Sequence, residues 1–246
     1  VKEIPEGPMT RLTFHPKEDI RPHWTLNGRS ILYVSDRSGD EPGRTHDLFM
    51  RRADGAGEAR KLLSLGESIW DALPSAGWEG LILRVGLPGS ERGSRDIVGF
   101  RPGVDSTVTP ILTSDFDEAA AVVSPDGRWI VYTSDESGRY EVFVRPFPNV
   151  DDGKWQVSSG GGITPIWAHS GREIFFLNPQ NEMVSVQVGT ETDFSVEASE
   201  VLFQLGPEYV PTDNGMLPAF DISADDERFV MIRNWRDELS EPHLVM

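Results

Sequence analysis

The sequence predicts an all-β chain: a β-propeller of five four-stranded antiparallel blades. Three observations predict it. A turn signature recurs as Gly28, Gly77, Gly127, Gly171 and Asp226. Runs rich in β-branched and aromatic residues follow these turns, the composition of strands. No stretch of useful length carries the 3.6-residue period of an amphipathic helix.

The five turns stand 44 to 55 residues apart. That is one period with variable loops, as repeat architectures show. Pro22 to Gly39 reads PHWTLNGRSILYVSDRSG, and Ala121 to Gly138 reads AVVSPDGRWIVYTSDESG. A third copy runs from Pro165 to Leu177, a weaker one from Pro218 to Arg233, and an eroded one from Asp71 to Val85. In the clearest copies a short strand enters a tight turn at Asn27-Gly28 or Asp126-Gly127, strong hairpin dipeptides. The second strand follows at residues 30–34 and 129–133, and Ser-Asp-x-Ser-Gly turns the chain again. Third strands are expected at residues 47–51, 140–145 and 183–188. Fourth strands are expected at residues 59–63, 154–157 and 201–204. Four antiparallel strands per repeat make a propeller blade.

These elements divide one domain, residues 1–246, into blades at 14–63, 64–113, 114–158, 159–205 and 206–246. The last blade is expected to take residues 8–13 as its outer strand, beside strands at 219–223, 229–233 and 243–246. Closing the ring in this way ties down both termini and leaves no open inner edge. The alternative is that five blades form part of a larger ring. Trp24 and Trp167 share one repeat position and are expected to fill the wedge between blades. Trp129 stands where other copies have Ser30 and Glu173, so half-exposure is expected. Trp70 and Trp235 lie off the pattern.

Composition narrows the function. Lys and Arg number 23 against 40 Asp and Glu, a formal charge of −17. Nucleic-acid binding, which needs cations to displace counterions, is disfavoured. With no cysteine, thiolate metal sites, cysteine nucleophiles and disulfides are excluded. No apolar run approaches the roughly 20 residues of a membrane helix.

The strings beginning at Trp24 and Val123 resemble the repeat of TolB-like propellers. The block from Trp155 through Gly160-Gly161-Gly162, Pro165 and Trp167 to Val186 is similar to the C-terminal propeller that bacteria attach to membrane-anchored serine/threonine kinases or to DNA-binding regulators. The resemblance implies a sensor or docking module in a periplasmic or other extracytoplasmic space. It supplies no catalytic residues to carry over.

The search for chemistry removes more than it adds. Propellers with this repeat also gate hydrolases, whose serine sits in a Gly-x-Ser-x-Gly elbow. That pentapeptide does not occur. The five histidines lack zinc-ligand spacing. Gly160-Gly161-Gly162 lacks the Lys-Ser/Thr of a phosphate loop and reads as an interblade linker. What remains is one mouth of the ring. Arg21, His23, Asp71, Asp117, Glu118 and Thr164 fall at or just before inner strands and form the candidate binding set. Acidic groups at those starts could form a ring there, with calcium as a candidate ligand. The resulting expectation is a non-catalytic protein-binding, scaffold or sensor propeller with no cofactor and no bound metal, working with other protein subunits in an assembly that can be membrane-associated. The alternative is a small-ligand or glycan receptor, or the remnant gating domain of a hydrolase, using the channel mouth.

Overall fold

The computed structural model describes residues 10–37, 45–75, 77–86, 95–191, 193–209, 218–233 and 243–245. Among them there is no α-helix; the only helical element is a 3-10 turn at Val150–Asp152. The strands form five antiparallel sheets, each a meander in chain order. The first holds β1 (Asp19–Trp24), β2 (Ser30–Ser35), β3 (Asp47–Arg52) and β4 (Arg60–Leu63). The second holds β5 (Ser68–Ser75), β6 (Gly80–Gly86), β7 (Asp96–Phe100) and β8 (Thr109–Leu112). The third holds β9 (Glu118–Val123), β10 (Trp129–Ser134), β11 (Glu141–Pro146) and β12 (Trp155–Gln156). The fourth holds β13 (Ile163–Trp167), β14 (Glu173–Leu177), β15 (Glu182–Gly189) and β16 (Ser195–Gln204). The fifth holds β17 (Phe220–Ile222), β18 (Phe229–Arg233) and β19 (His243–Val245).

The expected strands are therefore present, with two differences. The fourth strand of the fourth sheet is longer than residues 201–204. The fifth sheet has three strands among the described residues, and residues 10–13 adopt no strand. Residues 8 and 9, Trp235 and Met246 lie outside the described residues.

The chain divides into two compact units, residues 1–113 and 114–246. In the first, Leu32, Val34 and Leu48 of the first sheet pack against Leu81, Leu83 and Val85 of the second. In the second, Val131, Val142 and Val144 of the third sheet pack against Trp167, Ile174 and Phe176 of the fourth. There too, Phe175, Leu177 and Met183 of the fourth sheet meet Phe220 and Ile222 of the fifth. In all three cases the earlier sheet covers the leading face of the next.

The repeat residues have visible jobs. Gly28, Gly127 and Gly171 have φ of 64°, 74° and 69°, the left-handed region that hairpin turns require and glycine adopts without strain. Asp226 holds φ 60° at the fifth turn. Its carboxylate accepts from the backbone N–H of His169 (2.8 Å) and of Ser170 (2.9 Å), so one turn clasps another. The Ser-Asp pair works at the other end of the sheet. Asp36 accepts the Glu18 N–H at 3.1 Å, and Asp135 accepts the Asp117 N–H at 2.9 Å. Each aspartate thus fixes the chain where it enters an inner strand.

Trp129 is 6% exposed, not half-exposed: Trp155 and Phe194 close over it at ring distances of 5.6 and 5.4 Å. Phe194 lies beyond the repeat signature, which is why position 129 alone misleads. Trp167 is wedged between sheets as expected, 6% exposed. Trp24 is instead 50% exposed.

Tyr132 gives a pH prediction. Burial pushes its hydroxyl up to about 12, although Arg145 pulls the other way by hydrogen bond and charge. The folded chain then keeps the proton that the unfolded chain releases near the ordinary value of about 10. The Tyr132 contribution to stability is constant below about pH 10 and falls by on the order of 2–3 kcal/mol by about pH 12. Urea unfolding across that range checks it. Tyr132→Phe, which cannot ionise, should remove this part of the alkaline loss.

Candidate functional site

The inner strands are where the sequence places the candidate residues, and they share a distortion. The pairing of β1 with β2 slips between Ile20 and His23, that of β9 with β10 between Ala119 and Val122, and that of β13 with β14 between Ile163 and Ile166. At the same step of each bulge stands a residue with positive φ: Arg21 (56°), Ala120 (49°) and Thr164 (53°). In β5 the slip lies at Trp70, between Ile69 and Asp71. A bulge re-aims the side chains beside it and is common near functional sites.

The cost of that backbone is testable at Ala120. A left-handed L-residue costs roughly 1–2 kcal/mol. Glycine removes this but loses a buried methyl group and gains freedom in the unfolded chain. Ala120→Gly should therefore lie within about 0.5 kcal/mol of the parent, whereas Ala121→Gly, at ordinary φ, should cost about 1–1.5 kcal/mol. Paired urea titrations distinguish the two.

In the first unit the bulges of β1 and β5 bring two predicted residues together. His23 Nε2 lies 2.8 Å from Asp71 Oδ1. The same oxygen accepts the Ala72 N–H at 2.9 Å. Asp71 is buried at 3% exposure, while the His23 side chain remains 27% exposed. Arg84, also buried, stands opposite Asp71 in the strand pairing. An ionised carboxylate only accepts, so Nε2–H is the donor and Nδ1 carries the lone pair. A buried acid thus fixes the tautomer and orientation of a half-exposed imidazole. Such a ring can bind a donor group through Nδ1 or take up and release a proton.

The other predicted residues make different contacts. Arg21 is partly buried at its bulge. Asp117 is fully buried and accepts the Tyr140 hydroxyl at 2.7 Å. Glu118 accepts from the Ser114 hydroxyl, and Thr164 is fully buried. Asp19 is bound by Arg37. Burial raises the Asp19 pKa, but hydrogen bonds from Arg37, Ser35 and Thr13 and the charge of Arg37 outweigh this and hold it below the usual carboxylate value. The acids at these strand starts each make local contacts within their own unit. Among the described residues no group of three or more His, Asp or Glu could hold a metal ion.

Sequence reasoning missed Glu141, which is fully buried and ties the third sheet to its linker. It accepts from Arg139 Nε (2.7 Å), the Gly161 N–H (2.9 Å) and the Ser158 hydroxyl. The available signal was positional: Asp47, at the same place in the first sheet, accepts from Ser64 (2.7 Å) and Lys61 (3.2 Å). An acid at the start of a third strand recurs as Asp47, Asp96, Glu141 and Glu182.

No protein-family model matches the chain. A curated relative, named an uncharacterized peptidase, YuxL, of Bacillus subtilis (strain 168), is 25% identical over 181 residues, 58% of this chain and 27% of that protein. The matched region is thus about a quarter of the relative's length. Among solved structures, TolB from Acinetobacter baumannii superposes with a TM-score of 0.60 at 15% identity, over 89% of this chain and 50% of that one. An oligogalacturonate lyase in complex with manganese gives 0.62 at 8% identity, over 94% and 65%. A puromycin-hydrolyzing peptidase from Mycobacterium tuberculosis gives 0.55 at 15% identity, over 76% and 31%. At these identities the structural likeness speaks for the fold alone, and it bears out the TolB-like propeller. The kinase-attached propeller is not carried by these comparisons. The expectation of a non-catalytic scaffold or sensor is overturned by the peptidase name of the sequence relative, with enzymes among the structural neighbours. The chain is a TolB-like β-propeller in fold and, over much of its length, is similar in sequence to a protein named as a peptidase.

Proposed function

We propose that this chain is the propeller part of a peptidase-like hydrolase and that it handles peptide substrate on the way to the cleavage site. The observation that carries the reading is the 181-residue match to a protein named as a peptidase. The His23–Asp71 pair supports it from within the chain: an oriented, half-exposed imidazole on an inner strand suits a peptide's donor groups. We read the five sheets as successive blades of one propeller domain, and we place it outside the cytoplasmic membrane on the strength of its TolB-like repeat. No helix among the described residues is long and apolar enough to cross a membrane; fractionation of the native host tests the location.

The function is tested on the full-length gene product with a library of short peptide amides. Cleavage is expected. His23→Ala and Asp71→Asn should raise KM several-fold while kcat stays near the parent value, the pattern of lost binding common to ground and transition states. Absence of amide cleavage across the library would sink the hydrolase reading. Cleavage with unchanged KM in both variants would remove the pair from substrate handling.

A further inference from the structure

The last strand of each four-stranded sheet is an edge, whose outward N–H and C=O groups can pair with another chain. Three of these edges are blunted. β4 and β8 are four residues long and β12 is two. β4 carries Arg60 and Lys61, and β8 carries Pro110, which has no N–H to offer. β16 differs in each respect. It runs for ten residues, Ser195–Gln204, holds no Lys, Arg or Pro, and is exposed at all ten.

Among the described residues β16 pairs with β15 alone. The two faces of its sheet pack on the third and fifth sheets within residues 114–246, so the edge is the part left uncovered. Bulges at Glu197 and Leu202 bend the strand, and between them residues 198–201 keep unbroken register with residues 184–187. Val196, Val201 and Leu202 stand exposed along it. The charge of this stretch has one sign: from Glu173 to Gln204 there are six acids and no lysine or arginine. Glu191, Asp193, Glu197 and Glu200 are exposed. Glu173, Glu191 and Glu197 line a cavity of about 430 Å³ at the Ser195 end, with Arg172 as the cation in its wall.

We propose that β16 is a docking edge for an extended, basic segment of a partner protein, which pairs along it as a fifth strand. Main-chain hydrogen bonds to the free edge supply the affinity, and alternate side chains supply the specificity. Apolar residues of the segment would meet Val196, Val201 and Leu202, and its lysines or arginines would meet Glu197 and Glu200. Two observations select this occupant. The edge lacks the protection that its three counterparts carry, and its acids are complementary to a cationic partner. A second copy of the chain fits less well, because it brings the same acids to the same edge and like charges oppose association. The inference goes beyond the hydrolase reading and does not rest on it, since it concerns an edge and not the His23–Asp71 pair.

Hydrogen exchange read by mass spectrometry tests it on the unsubstituted protein. The probe is the blocked peptide acetyl-Lys-Val-Lys-Val-Lys-Val-amide, and its glutamate counterpart is the control. In the dilute free protein the outward amides of β16 should exchange fast. Saturating lysine peptide should slow exchange in residues 195–204 about tenfold and leave β4, β8 and β12 unchanged. The glutamate peptide should have no effect, and added salt should weaken binding of the lysine peptide. Glu197→Lys combined with Glu200→Lys should weaken it about tenfold in an anisotropy titration; the swap of peptide charge reads the same term without any substitution. No slowing in residues 195–204 would overturn the proposal. Slowing confined to the strands around His23 would overturn it as well, and would assign the peptide to the hydrolase site. Equal slowing by the glutamate peptide removes the charge selection and overturns it. Slow exchange in the dilute free protein makes the chain's own residues the cover, and slow exchange that appears only at high protein concentration makes a second copy the occupant; either result overturns it.

Discussion

Replacing Glu141 with alanine is expected to destabilise the unit formed by residues 114–246 by about 3–4 kcal/mol. The carboxylate is fully buried and bonded to Arg139, Ser158 and the Gly161 N–H. Its loss leaves donors in the interior without an acceptor, and a hydrogen bond to a charged group contributes about 1.5–3 kcal/mol. The effect spreads because Ser158 also accepts the Val142 N–H at 2.8 Å. Gly161 cannot move to compensate: it sits at φ 112°, and a side chain there would meet the Pro179 ring at 2.4 Å. The measurement is the urea midpoint followed by tryptophan fluorescence. Arg139→Ala should cost far less, since its side chain is 63% exposed and water replaces it. Equal losses for the two variants would mean that the ion pair, rather than the clamp on the linker, carries the stabilisation.

Trp167→Ala is expected to cost about 3–5 kcal/mol, the range for deleting a large buried aromatic side chain. The indole fills the space between the third and fourth sheets, among Val131, Ile174 and Phe176. Its hydrogen bond to the Val122 carbonyl goes with it. Trp24→Ala, at the matching position, should cost no more than about 1 kcal/mol in this chain, because half of the side chain is already in water. The two residues are identical in type and repeat position, so the difference reads packing alone. A Trp24→Ala loss as large as that at Trp167 would show that the face is covered in solution.

The fold was legible from the repeat because its signals are local. Asn27-Gly28 and Asp126-Gly127 mark the turns, whose glycines take up left-handed φ, and the strands after them are runs of β-branched and aromatic residues. Strands such as β2, β10 and β18 could be placed from a dozen residues each. β16 could be placed only in part, because its first half, Ser195 to Glu200, carries little apolar signal and is held by pairing with β15. The candidate site was half legible. His23 and Asp71 are 48 residues apart and were both singled out, yet nothing in their local sequence says that one bonds the other. Asp117 and Glu118 were singled out on charge, and the structure uses them to hold Tyr140 and Ser114. Glu141 was not legible, because its partners Ser158 and Gly161 lie 17 and 20 residues along the chain.

The sequence alone determined that this protein is built from repeated four-stranded meanders and where their turns fall. Those features depend on backbone angles and strand-forming residue types within a few residues. Only the tertiary structure decided which side of each sheet is covered, and by what. Burial belongs to pairs of sheets, so identical tryptophans at one repeat position, Trp24 and Trp167, end up half in water and fully enclosed. The same reason joins His23 to Asp71: two bulges on neighbouring strands aim the side chains at each other, and neither bulge is written in the residues of one strand.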